Sequence, residues 1–155
     1  MKGITIAEEC HVILGIGAVD VGGVAKVSTA WSMEDYQHAS IIITTGAVTD
    51  TTTFTVFNAT TQACGTEAAI GFDYYAETTA AGDTLGSRTT VDNTGFASGT
   101  NNTTTFVIEV DASELTAGYN WMRVKSDAAA ASMINVVVIL SGARYASTAA
   151  RTAIV

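Results

Sequence analysis

The stretch WSMEDYQHASIIITTG, residues 31–46, joins a polar first half to an apolar second half. Glu34, Asp35 and His38 fall within five positions, and these residue types serve hydrolases and metal sites. Side chains of an extended segment alternate between two faces, so Glu34, Tyr36 and His38 share one face while Asp35 and Gln37 point to the other. The run Ile41–Ile43 predicts a strand that is buried on both faces. We therefore expect a polar lead-in to a core strand, with His38 in an ordinary hydrogen bond.

The same kind of pattern recurs along the chain, because β-branched apolar residues form short runs between Gly, Asn, Asp and Thr clusters. It predicts an all-β, single-domain antiparallel β-sandwich or jelly roll with about seven or eight strands. The predicted strands are His11–Val19, Ala39–Thr45, Thr53–Asn58, Ala68–Tyr75, Thr104–Val110, Tyr119–Lys125 and Met133–Ser141, with a weaker one near Val24–Ala30. A short helical turn is predicted from Asp111 to Gly118, and a long exposed loop over Thr89–Thr103.

The composition predicts a neutral surface with a partner on part of it. The 155 residues fit one domain, and 48% of them are hydrophobic while only 14% are charged. Thr, Ala, Ser, Gly and Asn must therefore form much of the exterior. Such a surface indicates that another subunit or another protein covers part of the domain.

The charge distribution argues against some partners and favours an oriented contact. The formal net charge is −8 and Lys and Arg form no cluster, so direct binding of nucleic acid is not expected. No basic residue occurs between Lys26 and Arg88, although many acidic residues do. This predicts an acidic pole and a mildly basic one, unless the charges are scattered without spatial grouping. The apolar runs are too short to span a bilayer, so no membrane contact is expected.

Metal, cofactor and disulfide chemistry receive little support. Cys10, His11, His38 and Cys64 match no standard zinc spacing, and we predict no metal and no cofactor. The two cysteines form either one bridge or, as we expect, two buried thiols.

Enzymatic activity also receives little support. Glu109 with Asp111 or Glu114 could form the carboxylate pair of a glycoside hydrolase, but any acidic β protein offers such pairs. Nucleophile-elbow, phosphate-loop and dinucleotide motifs are not found in the sequence. We predict no catalytic residue and a protein that is not an enzyme.

Four segments of the sequence, taken in order, resemble a known group of proteins. They are WSMEDYQHASIIITTGA (31–47), FDYYAETTAAGDTLGSRTT (72–90), TFVIEVDASEL (105–115) and VVVILSGARY (136–145). In this order they resemble small virion structural proteins of tailed bacteriophages, usually found among head genes. The resemblance covers about residues 31–145. It implies a capsid decoration protein that binds the major capsid protein on the outside of the virion, after assembly in the cytoplasm of a host bacterium.

The resemblance also indicates which segments make contacts. An N-terminal arm (1–30) and a C-terminal tail (146–155) flank the matched body, and we predict that they are extended interface segments of one domain, 1–155. A homo-oligomer is expected, and a trimer over a lattice axis is one form of it. The predicted partner-binding residues are Trp31, Met33, Tyr36, Arg144, Tyr145 and Arg151.

Two other functions remain open. The chain could be a tail or other virion component, or a surface adhesive module that binds glycans through the 89–103 loop and aromatic side chains. A small acidic hydrolase built on Glu109 or His38 is the most distant alternative.

Overall fold

The fold is an all-β sandwich of two antiparallel sheets, as the sequence predicts. The computed structural model describes residues 5–77, 84–100, 103–129, 131–144 and 153–154. In these residues the strands are β1 (His11–Asp20), β2 (Trp31–Ser32), β3 (Tyr36–Val48), β4 (Thr53–Ala59), β5 (Glu67–Ile70), β6 (Phe72–Ala76), β7 (Thr89–Val91), β8 (Phe96–Ala97), β9 (Thr105–Asp111), β10 (Trp121–Ser126) and β11 (Ser132–Ala143). A short helix, α1 (Ile6–Glu9), precedes β1, and a 3-10 turn, η1 (Ala112–Glu114), follows β9.

The larger sheet has six strands in the order β1-β11-β3-β9-β6-β7. Its centre is β3, which pairs with β11 on one side and with β9 on the other. The strongly β-branched runs of β3, β9 and β11 suit these central positions, because such side chains pack well on a pleated surface. This sheet carries the surface described below.

The smaller sheet has the order β2-β10-β4-β5, and the two-residue strand β8 also pairs with β4. Side chains alternate strictly in β10, where Met122 and Val124 point inward and Arg123 and Lys125 point outward, partly exposed. This sheet therefore closes one side of the core, and Arg123 and Lys125 lie on its outer face.

The core lies between the sheets and is formed by the inward half of each strand. Ile41 and Ile43 of β3, Ile108 of β9 and Val136 of β11 have no exposed surface. Phe96 packs among the aromatic rings of the core, stacking on Tyr74 with the ring centroids 4.2 Å apart. This packing holds β8 on the sandwich.

The structure corrects the number and bounds of the predicted strands. Eleven strands occur in the described residues, not seven or eight. The predicted strand 68–75 is divided at Gly71, where the chain passes from β5 of the smaller sheet to β6 of the larger one. A Cβ at Gly71 would lie 2.8 Å from the carbonyl oxygen of Val91. The predicted 89–103 loop contains β7 and β8, while the weak strand at 24–30 is reduced to one bridge between Val27 and Lys125.

The predicted terminal arms are also corrected in part. Residues 11–20 of the supposed N-terminal arm form β1, an edge strand of the larger sheet that pairs with β11. In the C-terminal tail, Ala153 is buried in the core and its carbonyl accepts a hydrogen bond from the Ser32 N–H at 2.9 Å. Residues 145–152 and 155 lie outside the described part of the chain.

Candidate binding surface on the larger sheet

The outward face of the larger sheet carries a line of apolar side chains that crosses five strands. Each member is directly paired with the next, so that the line runs from β1 through β11, β3 and β9 to β6. We call it the apolar row, and its members are Leu14, Val137, Ile42, Val107 and Tyr75. Because neighbouring strands lie 4.7–4.9 Å apart, the row is about 19 Å long.

Two further apolar residues widen one end of the row. Val12 pairs with Ile139, and both lie beside the row on β1 and β11. Leu14 is 61% exposed and Val12 is 52% exposed, which is unusual for large aliphatic side chains grouped together. The other members of the row are partly exposed.

The opposite end of this face is polar and acidic, and His38 lies at its centre. His38 Nδ1 is 2.7 Å from Asp111 Oδ1, and His38 Nε2 is 2.7 Å from Glu109 Oε2. Ser40 Oγ donates a hydrogen bond to Glu109 Oε2 at 2.7 Å. The imidazole of His38 on β3 is thus held between two carboxylates of the neighbouring strand, β9.

These contacts determine the charge of His38. Partial burial opposes the charged form, but hydrogen bonds to Asp111 and Glu109 and the attraction of both carboxylates outweigh it and raise the pKa of His38 above 6.5. With a carboxylate at each ring nitrogen, the favoured form is the cation, which donates from both nitrogens.

Three more charged residues complete this end of the face. Asp73 of β6 forms an ion pair with Arg88 and accepts a hydrogen bond from Thr90 Oγ1 at 2.5 Å. The hydrogen bonds from Thr90 and Arg88 lower the pKa of Asp73. Glu114 of η1 lies beside them and accepts a hydrogen bond from the Asp111 N–H at 2.7 Å. We call the set His38, Asp73, Arg88, Glu109, Asp111 and Glu114 the acidic margin.

The acidic margin surrounds a small depression, and a larger one lies next to it. The smaller depression, of about 170 Å³, is lined by the margin together with Tyr75, the last residue of the apolar row. The larger, of about 600 Å³, is lined by Gln37, Ala112, Ser113 and Arg144 and shares Asp111 with the smaller one.

The arrangement of Ser40, His38 and Asp111 invites comparison with a nucleophile, base and acid. Ser40 Oγ lies 3.3 Å from His38 Nε2, but the Ser40 hydroxyl donates its hydrogen bond to Glu109 Oε2. The same carboxylate oxygen is the hydrogen-bond partner of His38 Nε2. A histidine that donates from both nitrogens has no lone pair with which to accept a proton from serine. In this arrangement the histidine acts as a bridge between carboxylates.

The structure places the predicted partner-binding residues in two different settings. Trp31, Met33 and Tyr36 are buried in the core, with 0%, 1% and 2% of their surfaces exposed. This corrects the prediction for these three, because a partner cannot reach their side chains. Arg144 is exposed at the end of β11 and lines the larger depression. Tyr145 and Arg151 lie outside the described residues, so their role stays a prediction.

Other sequence features are also located by the structure. Cys10 is half-buried, Cys64 is buried, and both are free thiols. The described ranges contain no group of three or more His, Cys, Asp or Glu residues that could hold a metal ion. Among the helices in that part of the chain, none has the length and apolarity needed to cross a membrane.

Charged side chains group differently on the two outer faces, although not by the two segments of the chain on which the prediction was based. The acidic margin lies on the outer face of the larger sheet. On the outer face of the smaller sheet, Arg123 and Lys125 both pair with Glu67. Burial of Glu67 opposes its ionisation, but hydrogen bonds from Lys125 and Arg123 lower its pKa. Among these residues the acidic margin has an excess of carboxylates, whereas the two cations Arg123 and Lys125 share one carboxylate, that of Glu67.

Sequence reasoning missed the apolar row because it placed Ile42 in a fully buried strand. The alternation in FVIEVD, residues 106–111, does separate Val107 and Glu109 from the buried residues between them. The sequence does not show how neighbouring strands are aligned, and this alignment brings Leu14, Ile42 and Val107 into one line.

Comparison with known proteins identifies a shared fold. No protein-family model matches the chain, and no curated protein matches it. The crystal structure of the SPBc2 prophage-derived protein YomS is similar, with a TM-score of 0.51 and 13% sequence identity. The match covers 86% of this chain and 94% of YomS. At this identity the likeness shows the fold.

Proposed function

We propose that this chain is a non-enzymatic structural protein of a tailed bacteriophage, and that it decorates the outside of the head shell by binding the major capsid protein. The observation that carries the proposal is the apolar row. Grouped, exposed aliphatic side chains on one sheet face are typical of a surface that binds another protein.

Two independent similarities support a phage source. The four sequence segments resemble phage virion structural proteins, and the fold is shared with a prophage-derived protein over most of both chains. The small charged fraction of the chain also suits a protein that works in a crowded lattice of neighbours.

Decoration would act by mass action. A protein that binds the assembled shell, and not the dissociated subunits, stabilises the shell by the free energy of its binding. A contact of standard size buries about 800 Å² on each partner, and a shell repeats that contact many times. If the chain forms a trimer over a lattice axis, avidity strengthens the attachment further. Assembly would take place in the cytoplasm of the bacterial host.

Co-sedimentation of the purified protein with expanded, undecorated heads of the same phage tests the proposal. We expect saturable binding at a fixed number of copies for each shell subunit. A protein that stays in the supernatant at every concentration would contradict decoration. Binding to isolated tails would instead assign the chain to the tail.

A further inference from the structure

We infer that the outer face of the larger sheet is the surface that docks on the shell, and that its partner presents an apolar strip with Lys or Arg side chains along one edge. This inference rests on the proposed function and adds the binding face and the chemistry of the partner.

On the outer face of β3, the central strand, Ile42 is an apolar residue that the described part of the chain leaves partly exposed. A continuous apolar run such as Ile41–Ile43 is typical of a strand with cover on both faces. The sandwich covers the inner face, where Ile41 and Ile43 are fully buried. Ile42 is only partly exposed because Val137 and Val107 flank it, and these neighbours extend the apolar surface sideways. Contact with a second protein would give this run its missing cover.

The charge of the acidic margin indicates the chemistry of the partner. The acidic margin contains four carboxylates, on Asp73, Glu109, Asp111 and Glu114, against one arginine and one histidine. Both cations are already paired with carboxylates of the same face. The excess negative charge lies next to the Tyr75 end of the apolar row. Lys or Arg side chains on the partner would match this end, whereas apolar side chains would match the rest.

The same charges argue against a second copy of this chain as the occupant. In a face-to-face pair of copies, each apolar row would meet its twin, and neither margin would supply an unpaired cation to the other. Arg144 lies just beyond the end of β11, at the border of the margin and not over the row. The basic residues Arg123 and Lys125 lie on the opposite sheet and would face away from the shell.

The test uses three variants of the full chain in the head co-sedimentation assay. Leu14→Ser with Val137→Thr removes apolar surface from the row and keeps strand-compatible shapes. Glu114→Gln removes one charge of the margin and keeps an oxygen that can accept the hydrogen bond from the Asp111 N–H. Val24→Ser is the control, because Val24 is 62% exposed and Leu14 61%, but Val24 lies in the turn after β1 and in no strand of the sheet. Circular dichroism and thermal unfolding confirm that each variant is folded.

We expect the row variant to bind heads at least about tenfold more weakly and Val24→Ser to bind as the wild type does. Glu114→Gln should weaken binding by about two- to fivefold at low salt, and added salt should narrow the difference. If the wild type binds and the row variant binds equally well, the inference is wrong and the proposed function stands. If a folded wild type binds no heads, the proposed function fails, and with it the partner assigned to this face.

Light scattering of the same proteins tests whether a second copy of the chain binds this face. We expect the row variant and the wild type to have the same mass in solution. A wild type that self-associates, combined with a monomeric row variant, would show that the face binds a second copy and would overturn the inference.

Discussion

Ile41 and Ile42 are consecutive residues of β3, yet Ile41 is fully buried between the sheets while Ile42 stands in the apolar row on the outer face. One identical side chain is therefore core and the other is surface. This pair gives a direct measure of whether anything in the isolated chain covers the outer face.

Alanine substitution at these two positions should have different costs. Ile41→Ala leaves a cavity in the core and is expected to lower the free energy of unfolding by about 2–5 kcal/mol. Ile42→Ala removes a side chain that is packed only from the sides, so we expect a loss of about 1 kcal/mol. Urea denaturation of both variants measures the difference. Equal losses would mean that Ile42 is as well covered as Ile41.

The stability contributed by His38 should depend on pH. Its pKa is raised in the folded state, so the contribution is full below the unfolded pKa of about 6.5 and is lost as the pH rises through the folded pKa. We expect His38→Gln to cost about 1 kcal/mol at pH 6 and less at pH 9. Urea denaturation measures the free energy of unfolding of the variant and the wild type at each pH. Other groups titrate in both proteins, so their effect is absent from the difference between the two values. A cost that does not change with pH would contradict the bridge between Glu109 and Asp111.

Glycine is required at position 95 by a close backbone contact. Gly95 has a φ of +81°, and a Cβ there would lie 2.0 Å from the carbonyl oxygen of Phe54. Gly95→Ala is expected to cost more than about 3 kcal/mol, because it adds this clash to the strain of a left-handed backbone. Gly118 is the matched control, with a φ of +82° and no described atom within 4 Å of a Cβ. Gly118→Ala should cost only about 1–2 kcal/mol, and thermal unfolding distinguishes the two.

The end of the chain is expected to contribute to folding. Ala153 is buried, Ile154 packs against the core, and the Ala153 carbonyl accepts a hydrogen bond from the Ser32 N–H. Removing residues 146–155 should lower the free energy of unfolding by about 1–3 kcal/mol. Ala153→Asp in the full chain should also destabilise, because it places a charge in the core. Unchanged stability of both proteins would show that the tail is a separate interface segment.

Much of the fold could be predicted from the sequence because alternating or continuous apolar runs mark the long strands. The runs in β1, β3, β4, β9, β10 and β11 all correspond to strands of the sandwich. The short strands β7 and β8 could not be predicted, because Thr89–Val91 and Phe96–Ala97 lack a periodic pattern of their own. They form because β6 has a free edge, because β4 extends past the end of β5 at Thr53 and Phe54, and because Phe96 enters the aromatic core.

The candidate surface could be predicted only in pieces. His38 and Glu109 are 71 residues apart in the chain, and only the pairing of β3 with β9 brings them together. Trp31, Met33 and Tyr36 were predicted at an interface because cores and interfaces select the same large side chains. The residue types can be read from the sequence, but the face of the sheet on which each side chain lies cannot.

We propose that the chain resides on the head of a phage particle. Quantitative mass spectrometry of heads and tails, separated from purified virions, tests this claim most directly. We predict that the chain is found with the heads, at one fixed molar ratio to the major capsid protein in independent preparations. Recovery with the tails, or loss from purified particles, would contradict the claim.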